Sequence, residues 1–506
     1  MLRWLKSLGS AAARADAYSL MRSGEAALAQ GHAADAAAFF RRAIAIDANV
    51  ADYYRYLALA CRAQGDFVGA EAAYRTALRL NPDDISIHVK LGAVYTSLGR
   101  LADARRWLEG AAQASPAYAE AHLRLADLFL EQCEPALAVE ACREAVRLEP
   151  GSAHALVALG RALEVGGRTE SALEAYEAAL QVDPQSVDAH VSRATTYLAR
   201  EQFSAGWDEF EWRKRARDQA AVHGRFHAPD WDGSDLRGHT LLFYAEQGLG
   251  DQIMYASCVP DLQRRGGRVV IDCDPRLVPL FRRSFPSTVV HGGRQSDDGG
   301  WAEEHGVHLK VACASAPRFL RRSAEDFPDH RGYLRADPSK VEQWKDRLAN
   351  LGPGRKIGLS WRGGVQRTGR AWRSLEIDTL LPLLRVPGVR FVSLQYDATA
   401  EERARLQAVG GDIHHWPEAI EDYDETAALL CALDVTVSVC TAVIHLAGAL
   451  GRPVWVLAPI APDARYGLAG ERMRWYPSAR MFRQPSFGDW RSVVAHVVDA
   501  LERLPE

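Results

Sequence analysis

One short segment combines two glycines with a carboxylate at a predicted strand-to-helix turn. Gln247-Gly248-Leu249-Gly250-Asp251-Gln252 follows the apolar run 241–245. Glycines after a strand let the backbone approach a ligand, and the start of the next helix offers free N–H groups. Asp251 stands at that helix start. It is either a carboxylate favoured by the helix dipole or a functional carboxylate that faces a cleft.

A second segment places a threonine where a buried strand turns into a helix. Cys440-Thr441-Ala442-Val443-Ile444-His445 follows the predicted strand 434–439. Threonine is a favoured N-cap, and the amides of the first turn, together with the helix dipole, form an anion site. His445 lies one turn further on, either as a core residue or as a donor to a phosphate or sugar hydroxyl. We therefore predict a phosphate-binding helix start at Thr441.

Two other strand ends are predicted to face the same cleft. Ser360-Trp361-Arg362-Gly363-Gly364 follows the first strand of a second α/β series, and its glycines suit the approach of phosphate or sugar. The arginines of this region either supply countercharge or are solvated: Arg362, Arg367, Arg370 and Arg373. Gln395, after the next strand, either contacts a base or ribose or lies in a plain loop.

Motifs for metals and covalent nucleophiles are scarce. Asp272-Cys273-Asp274 matches the DxD pattern literally, but it precedes Pro275 in the first α/β series, and we expect no metal role for it. The 8 cysteines are scattered without a CxxC pair, which indicates buried thiols in a reducing compartment. The sequence contains no HExxH, GxSxG or GxxxxGK[ST] motif.

The size and composition of the chain indicate a soluble protein of several domains. A chain of 506 residues is longer than the length at which a single hydrophobic core stops growing, so several domains are expected. A net charge of −4 argues against a dedicated nucleic-acid binder, which usually carries an excess of basic residues. The start, MLRWLKSLGS, lacks an apolar stretch of signal-peptide length, and the uncharged run 435–451 is too short to span a membrane. We therefore expect a cytoplasmic protein.

The first part of the chain repeats with a period of 34 residues. Small residues, turn glycines and helix-ending prolines keep this phase: Ala36, Ala70, Ala104, Ala138 and Ala172; Gly31, Gly65, Gly99 and Gly167; Pro82, Pro116, Pro150 and Pro184. Cys133 fills the missing glycine position. The pattern resembles the tetratricopeptide repeat. It predicts an N-terminal segment 1–16 and an α-solenoid over 17–214, with five regular units and an atypical capping unit from 187.

The concave side of such an array is a candidate binding groove for a protein partner. Mapping the period places these residues there: Arg55, Leu59, Arg62, Val89, Leu123, Asp127, Leu130, Val157 and Arg161. Several of them could instead pack between repeats. The mixture of apolar residues and both charge signs suits a protein or peptide better than a polyanion.

The second part alternates short apolar runs with predicted helices, which is typical of parallel α/β structure. After a connector at 215–237, we predict one lobe over 238–338, a linker helix within 339–353 and a second lobe over 354–506. Ligands of such sheets bind at the carboxyl ends of the strands. The fold class is therefore α plus α/β, with two Rossmann-like lobes that face one another.

These segments together resemble a known family. GLGDQIM is similar to the opening motif of heptosyltransferase-like GT-B glycosyltransferases, and CTAVIHLAGALGRPVWVL is similar to their TxxxHLAxALGxPV donor motif. The layout, with WDGSDLRG, DCDPRLVPLF and WYPSARMFRQ, resembles bacterial proteins that carry tetratricopeptide repeats before such a domain. Flagellin glycosyltransferases with tetratricopeptide repeats share this architecture. Many relatives have Asp where this chain has Cys440.

The resemblance implies inverting transfer of a sugar from a nucleotide-sugar, with no metal or other cofactor. Asp251 would be the base, and the donor would be held by Gly248, Gly250, Ser360, Trp361, Arg362, Gly363, Gln395, Cys440, Thr441, Ala442 and His445. The first hypothesis is a protein O-glycosyltransferase whose repeats recruit an acceptor protein such as flagellin. The alternatives are a non-catalytic scaffold on a degenerate glycosyltransferase fold, and a transferase that acts on a glycan or lipid.

Overall fold

The structure is a computed structural model that describes residues 2–216, 219–293, 299–364, 369–408 and 413–504. The chain divides into two units, Met1–Leu163 and Glu164–Glu506. The change of architecture predicted at 215–237 is therefore not the division between the units. The last helices of the repeat region belong to the same unit as the α/β part.

Helices fill the first unit, as the 34-residue period predicts. They are α1 (Leu2–Ala29), α2 (Ala33–Ile46), α3 (Ala51–Ala63), α4 (Phe67–Leu80), α5 (Ile85–Ser97), α6 (Leu101–Ala114), α7 (Ala119–Glu131), α8 (Pro135–Leu148) and α9 (Ala153–Val165), the last of which crosses the unit boundary. Successive helices pack in pairs, α1 with α2 through α7 with α8. The predicted border at residue 16 falls inside α1, so 1–16 is not a separate segment.

Small residues of the repeat lie where paired helices approach closely. Ala36, Ala70 and Ala104 have no exposed surface. A methyl group on Gly92 would lie 2.5 Å from Cγ of Leu108, closer than packed atoms allow. Larger side chains at these positions would push the helices apart, which explains the alanine-rich period.

The turns between helices use the left-handed backbone conformation at the predicted positions. Gly65 and Gly99 have φ of 77° and 72°. Cys133, which fills the missing glycine position, adopts φ of 60°. A side chain in this conformation costs about 1–2 kcal/mol, so the repeat geometry is kept there at a local cost.

The second unit begins with the end of the repeat array. It contains α10 (Thr169–Val182), α11 (Val187–Ala199), α12 (Phe203–Phe210) and a 3-10 turn, Glu211–Arg215. Trp207 is buried, its Nε1 donates to the carbonyl of Arg321 at 2.9 Å, and its ring packs edge-on against Tyr255 and Trp475. The capping unit therefore packs on the α/β part.

The first lobe contains a four-stranded parallel sheet in the order β3-β2-β1-β4. Its elements are α13 (Ala220–Gly224), β1 (Thr240–Tyr244), α14 (Leu249–Tyr255), α15 (Val259–Arg264), β2 (Arg268–Cys273), α16 (Val278–Ser284), β3 (Val289–Gly292), α17 (Trp301–Glu304), β4 (Leu309–Ala312) and α18 (Pro317–Leu320). The sequence predicts strands at 241–245, 268–272 and 288–291, which match β1, β2 and β3 within one residue, and it does not predict β4.

The second lobe contains a seven-stranded sheet in the order β10-β11-β9-β8-β5-β6-β7, in which only the β10 to β11 pair is antiparallel among the described strands. Its elements are α19 (Pro338–Ala349), β5 (Arg355–Ser360), α20 (Ile377–Leu384), β6 (Val389–Ser393), α21 (Ala400–Ala408), β7 (Ile413–His415), α22 (Glu418–Glu421), α23 (Tyr423–Ala432), β8 (Val435–Val439), α24 (Ala442–Ala449), β9 (Val454–Ala458), β10 (Arg472–Met473), β11 (Tyr476–Arg483) and α25 (Trp490–Glu502). The α/β part thus contains two separate sheets, one in each segment that the sequence assigns to a lobe.

Two features of the second lobe differ from the prediction. The strands β7, β10 and β11 were not predicted; the motif WYPSARMFRQ contains β11, which pairs with β9. The linker helix, α19, packs on α23, and Nε1 of Trp344 donates to Glu425 at 2.9 Å. This helix is therefore an integral part of the second lobe.

Candidate functional site

A cleft of about 480 Å³ lies between the two lobes, beside the carboxyl ends of several strands. Its wall is mostly apolar, with a few polar groups, as is usual for small-molecule sites. It is lined by Leu249, Gly250, Arg276, Gly364, Leu394, Tyr396, Ile420, Glu421, Tyr423, Thr426, Thr441, Ala442, Val443 and Leu446. All four predicted segments, those at 247–252, 360–364, 393–397 and 440–448, thus contribute to one cleft, the fourth through Leu394 and Tyr396.

The first turn of α24 faces this cleft. Thr441 is its N-cap residue, as predicted, and Ala442 and Val443 line the cleft with it. The Thr441 hydroxyl bonds to Ser438 Oγ at 3.0 Å, and among the described residues no side chain caps the helix. The first amides of α24 therefore point toward the cleft, where the helix dipole favours an anion.

The glycines of two loops allow close approach to this helix start. A methyl group on Gly250 would lie 2.9 Å from Cδ2 of His445 and 3.4 Å from Cα of Ala442. A methyl group on Gly363 would lie 2.7 Å from Cγ2 of Thr441. Gly248 is the N-cap residue of α14. The loops of both lobes thus converge at the same point, and Gly250 and Gly363 are in contact with it.

Asp251, the predicted base, lies beside the cleft rather than in its wall. The residues that line the cleft do not include it. Its Oδ1 accepts a hydrogen bond from Nη1 of Arg465, on a 3-10 turn, Ala464–Tyr466, of the second lobe. In this structure Asp251 therefore forms an interlobe ion pair at the edge of the cleft, and its predicted role as a base stays a prediction.

Arg465 is a residue that the sequence reasoning missed. It follows β9 in the segment Ala461-Pro462-Asp463-Ala464-Arg465, which lies between the strand predicted to end at residue 457 and the helix predicted at 489–503. A signal was present, because a loop after a strand of a parallel sheet faces the ligand side. Burial alone would lower the pKa of this guanidinium, but Asp251 and Asp463 raise it above its ordinary value.

His445 is a satisfied core residue. It is 2% exposed; Nδ1 lies 3.1 Å from the Tyr476 hydroxyl and Nε2 lies 3.3 Å from the Tyr466 hydroxyl. Burial, then the charges of Arg465 and Arg373, lower its pKa well below the ordinary value. The predicted contact of its ring with a phosphate is therefore wrong here, because both ring nitrogens already have partners and the ring is neutral.

Gln395 is buried and forms hydrogen bonds with the backbone that follows β5. It has no exposed surface, and its Oε1 accepts hydrogen bonds from Trp361 N at 3.1 Å and Arg362 N at 2.9 Å. Ser360 and Trp361 are also buried, and Oγ of Ser360 donates to the same oxygen at 3.2 Å. Direct contact of these three side chains with a donor is therefore contradicted by their burial. They shape the loop that carries Gly363.

The arginines near β5 have partners within the second lobe. Arg362 pairs with Asp397 at 2.9 Å and with Glu402 at 3.2 Å, which opposes its predicted role as a free countercharge. Arg370 also pairs with Asp397, at 3.2 Å. Arg367 lies outside the described residues.

Arg373 lies directly beside the helix start. Its Nη2 donates to the carbonyl of Cys440 at 3.1 Å and pairs with Asp463 at 2.9 Å. The thiol of Cys440 is buried, which raises its pKa to about 11. Cys440 therefore contributes to the site only through its backbone carbonyl, which accepts the hydrogen bond from Arg373. This contact places the positive charge of Arg373 close to Thr441.

The DxD motif is structural. Asp272 is buried, pairs with Arg225, and accepts from His291 Nδ1 at 3.2 Å, while burial raises its pKa. Asp274 caps the 3-10 turn that follows and pairs with Arg276 at 2.9 Å. Within the described part of the chain, no group of three or more His, Cys, Asp or Glu side chains is arranged to hold a metal ion.

The predicted groove of the first unit is only partly accessible. Val89, Leu123, Leu130 and Val157 are 1–8% exposed, so their expected contact with a partner is wrong and they pack within the array. The remaining groove residues are at least partly exposed: Arg55, Leu59, Arg62, Asp127 and Arg161. Arg55 pairs with Asp52 at 2.8 Å, and Asp127 pairs with Arg124 at 2.5 Å. The accessible surface is therefore mainly charged, with both signs present.

Comparison with known families supports the repeat assignment. A TPR repeat family matches residues 58–99, and a tetratricopeptide repeat family matches residues 89–153 and 157–206. The N-terminal region is a tetratricopeptide-repeat array. Arrays of this kind bind partners on extended concave surfaces.

Known proteins resemble the chain in part. Protein FlbA of Caulobacter vibrioides is 35% identical over 327 residues, which cover 61% of this chain and 54% of FlbA. The chain thus matches about half the length of that relative. The match is longer than the segment 1–214, so it includes residues of the α/β part.

Solved structures resemble the repeats. A thermophilic TPR protein of Thermus thermophilus is 24% identical with a TM-score of 0.34, covering 36% of this chain and 99% of its own. MamA is 26% identical with a TM-score of 0.27, covering 33% of this chain and 95% of its own.

Of the described helices, none is both long enough and apolar enough to cross a membrane.

Proposed function

We propose that the chain is a glycosyltransferase that moves a sugar from a nucleotide-sugar to a hydroxyl of an acceptor protein. The observation that carries the proposal is the first turn of α24, which faces an interlobe cleft and lies against Gly250 of the first lobe. A helix start at the carboxyl end of a parallel sheet suits a phosphate group, and a second lobe opposite suits an acceptor.

The donor would lie with its phosphate at Thr441 and Ala442 and its nucleoside in the apolar part of the cleft. Tyr396 lines this part with a ring that is 59% exposed, so it offers a surface on which a base can stack. Stacking of a base on an aromatic ring contributes about 1–3 kcal/mol. The amides of α24 would stabilise the negative charge that develops on the leaving phosphate.

The acceptor hydroxyl would be activated by Asp251. In this reaction its carboxylate takes the hydroxyl proton, the oxygen forms a bond to the anomeric carbon, and the bond from that carbon to the phosphate oxygen breaks. The nucleotide leaves with the electron pair, and the configuration inverts. Asp251 is suited to this role by its place in the first turn of α14, directly after Gly250, which touches the donor helix.

The repeats would recruit the acceptor protein, and flagellin is the first acceptor to test. The accessible groove residues carry both charge signs, which suits a folded or extended protein segment of mixed charge. We assign no cofactor or metal a role in this reaction, since Arg373 and the first amides of α24 would offer partners for the charges on the nucleotide.

A non-catalytic scaffold is the second candidate, because two predicted donor ligands are otherwise engaged. Gln395 and His445 are buried and bonded within the second lobe. A fold that has lost its substrate would keep such internal contacts and lose ligand binding.

Titration calorimetry distinguishes the two candidates. The full chain is titrated with UDP, GDP, ADP, TDP, CMP and CDP, with and without magnesium. We expect one nucleotide to bind, and saturation at 100 times its Kd to add about 2.7 kcal/mol to the free energy of unfolding. Absence of binding by every nucleotide at millimolar concentration would contradict the transferase and favour the scaffold.

A further inference from the structure

An ion pair joins the two lobes at the edge of the cleft. Arg465 donates through Nη1 to Oδ1 of Asp251, which lies on α14 of the first lobe. The side chains are 24% and 17% exposed, respectively. The pair is therefore shielded enough to matter energetically and still reachable by a ligand.

A second ion pair lies on the same side of the second lobe. Arg373 pairs with Asp463 at 2.9 Å and donates to the carbonyl of Cys440, the residue before Thr441. Asp463 stands two residues before Arg465 on the same loop. Two guanidinium groups and two carboxylates thus surround the start of α24, and their formal charges cancel.

Contacts of His445 show that Arg465 and Arg373 lie near the start of α24. The Tyr466 hydroxyl, next to Arg465 in sequence, lies 3.3 Å from Nε2 of His445. The ring of His445 in turn lies against Gly250. A phosphate at the first turn of α24 would therefore enter the field of both arginines. Carboxylates and phosphates compete for a guanidinium because both accept its paired N–H groups.

We propose that Arg465 exchanges partners when the donor binds: it leaves the Asp251 carboxylate and binds the donor phosphate. This inference rests on the proposed function, and it adds a residue that couples donor binding to the base. Before the exchange, the negative charge of the Asp251 carboxylate is paired with the positive charge of Arg465. After it, the carboxylate is free to accept the proton of the acceptor hydroxyl, and Arg465 stabilises the phosphate that leaves. The order of binding is therefore donor first and acceptor second.

The exchange has a consequence that a purely structural ion pair lacks. Asp251 competes with phosphate for Arg465, so removal of its charge must tighten anion binding. Removal of Arg465 must weaken anion binding. A pair that only joins the lobes would lose stability in both variants, without opposite effects on an anion.

The test is titration calorimetry of the full chain with inorganic pyrophosphate. The proteins are the wild type, Asp251→Asn, Arg465→Gln and the control Arg405→Gln, whose guanidinium pairs with Asp378 at 2.5 Å on the surface of the same lobe. We expect the Kd to fall at least about fivefold in Asp251→Asn and to rise at least about tenfold in Arg465→Gln, since charge-assisted hydrogen bonds of a guanidinium are among the strongest in proteins. The control should stay within about twofold of the wild type.

Three results would overturn the exchange: no binding of pyrophosphate to the wild type, equal or weaker binding in Asp251→Asn, or unchanged binding in Arg465→Gln. Thermal melting shows which variants are folded, and Asp251→Asn alone decides the question if Arg465→Gln does not fold. Sugar transfer by the wild type without these shifts would contradict the exchange but not the proposed function. The expected shifts without any sugar transfer would contradict the proposed function and leave a regulated anion site.

Discussion

Gly250 of the first lobe and His445 of the second are in direct contact, so that a methyl group on Gly250 would lie 2.9 Å from Cδ2 of the imidazole. The contact exists because the first turn of α14, which follows β1, packs against α24. It brings the candidate base, Asp251, to the helix start that is suited to a phosphate. The approach of the two lobes at this point is therefore the geometric condition for the proposed reaction.

Gly250→Ala should destabilise the protein and weaken nucleotide binding, because the new methyl group displaces the His445 ring. We expect the free energy of unfolding to fall by about 1–3 kcal/mol, as for other overpacked sites. Gly110→Ala is the control, since nothing lies within 4 Å of a methyl group there and the residue is exposed in α6. The control should gain about 0.5–1 kcal/mol. Urea denaturation measures both, and a Gly250→Ala protein as stable as the wild type would show that the contact is not tight.

Ala442→Asp should abolish nucleotide binding without loss of stability. The new carboxylate would stand in the first turn of α24, where the helix dipole favours it by about 0.3–1 kcal/mol. It would also repel the donor phosphate, so affinity should fall more than about tenfold. Ala442→Asn is the matched neutral control and should bind more tightly than the aspartate variant. Calorimetry with the nucleotide that binds the wild type is the measurement, and equal affinity of the two variants would exclude a phosphate at this turn.

Stability should depend on His445 at mildly acidic pH. Its pKa in the folded protein lies well below the ordinary value near 6.5, because of burial and of Arg465 and Arg373. The unfolded chain therefore binds one proton more than the folded protein below about pH 6.5, and stability falls as pH decreases, by up to about 1.4 kcal/mol per pH unit. His445→Gln should lose this contribution. Urea denaturation between pH 7 and pH 5 compares the slopes; identical slopes for the two proteins would contradict a buried neutral histidine.

Trp207→Ala should destabilise the second unit strongly. Its ring is buried against Tyr255 and Trp475, and its Nε1 donates to the carbonyl of Arg321. We expect a loss of about 3–5 kcal/mol, as for other buried aromatic truncations. Trp207→Phe keeps most of the packing and should lose the hydrogen bond alone, about 1 kcal/mol. Chemical denaturation followed by tryptophan fluorescence separates the two variants. A loss below about 1 kcal/mol for the alanine variant would mean that the cap does not support the α/β part.

The repeats and the cleft were predictable because local rules decide them. Alanine at Ala36 and Ala70, and glycine at Gly65, follow from helix contact and turn geometry within one repeat. The meeting of Gly363 and Thr441 follows from topology, since the carboxyl ends of parallel strands in one sheet share one edge. Gly250 follows β1 of the other sheet and reaches them because the two lobes face one another.

The partners of the polar side chains were not predictable, because they come from distant parts of the chain. Arg465 meets Asp251 across more than 200 residues, and Tyr476 meets His445 through a strand that the sequence does not reveal. Gln395 has the spacing of a ligand residue, yet its amide binds the backbone of the neighbouring loop. Competition between internal and ligand hydrogen bonds is decided by tertiary geometry, which residue type and spacing do not contain.

The most direct test of the account is the intact mass of a candidate acceptor protein after incubation with the full chain and a nucleotide-sugar. Flagellin is the first acceptor, and the donors are those of the nucleotide that binds in calorimetry. We predict that the wild type adds the mass of one or more sugars and that Asp251→Asn lowers the rate by at least about a hundredfold, as for loss of a general base. The surface variant Asp378→Asn should retain wild-type activity. Sugar addition at an equal rate by Asp251→Asn, or no addition to any acceptor by a wild type that binds the nucleotide, would contradict the account.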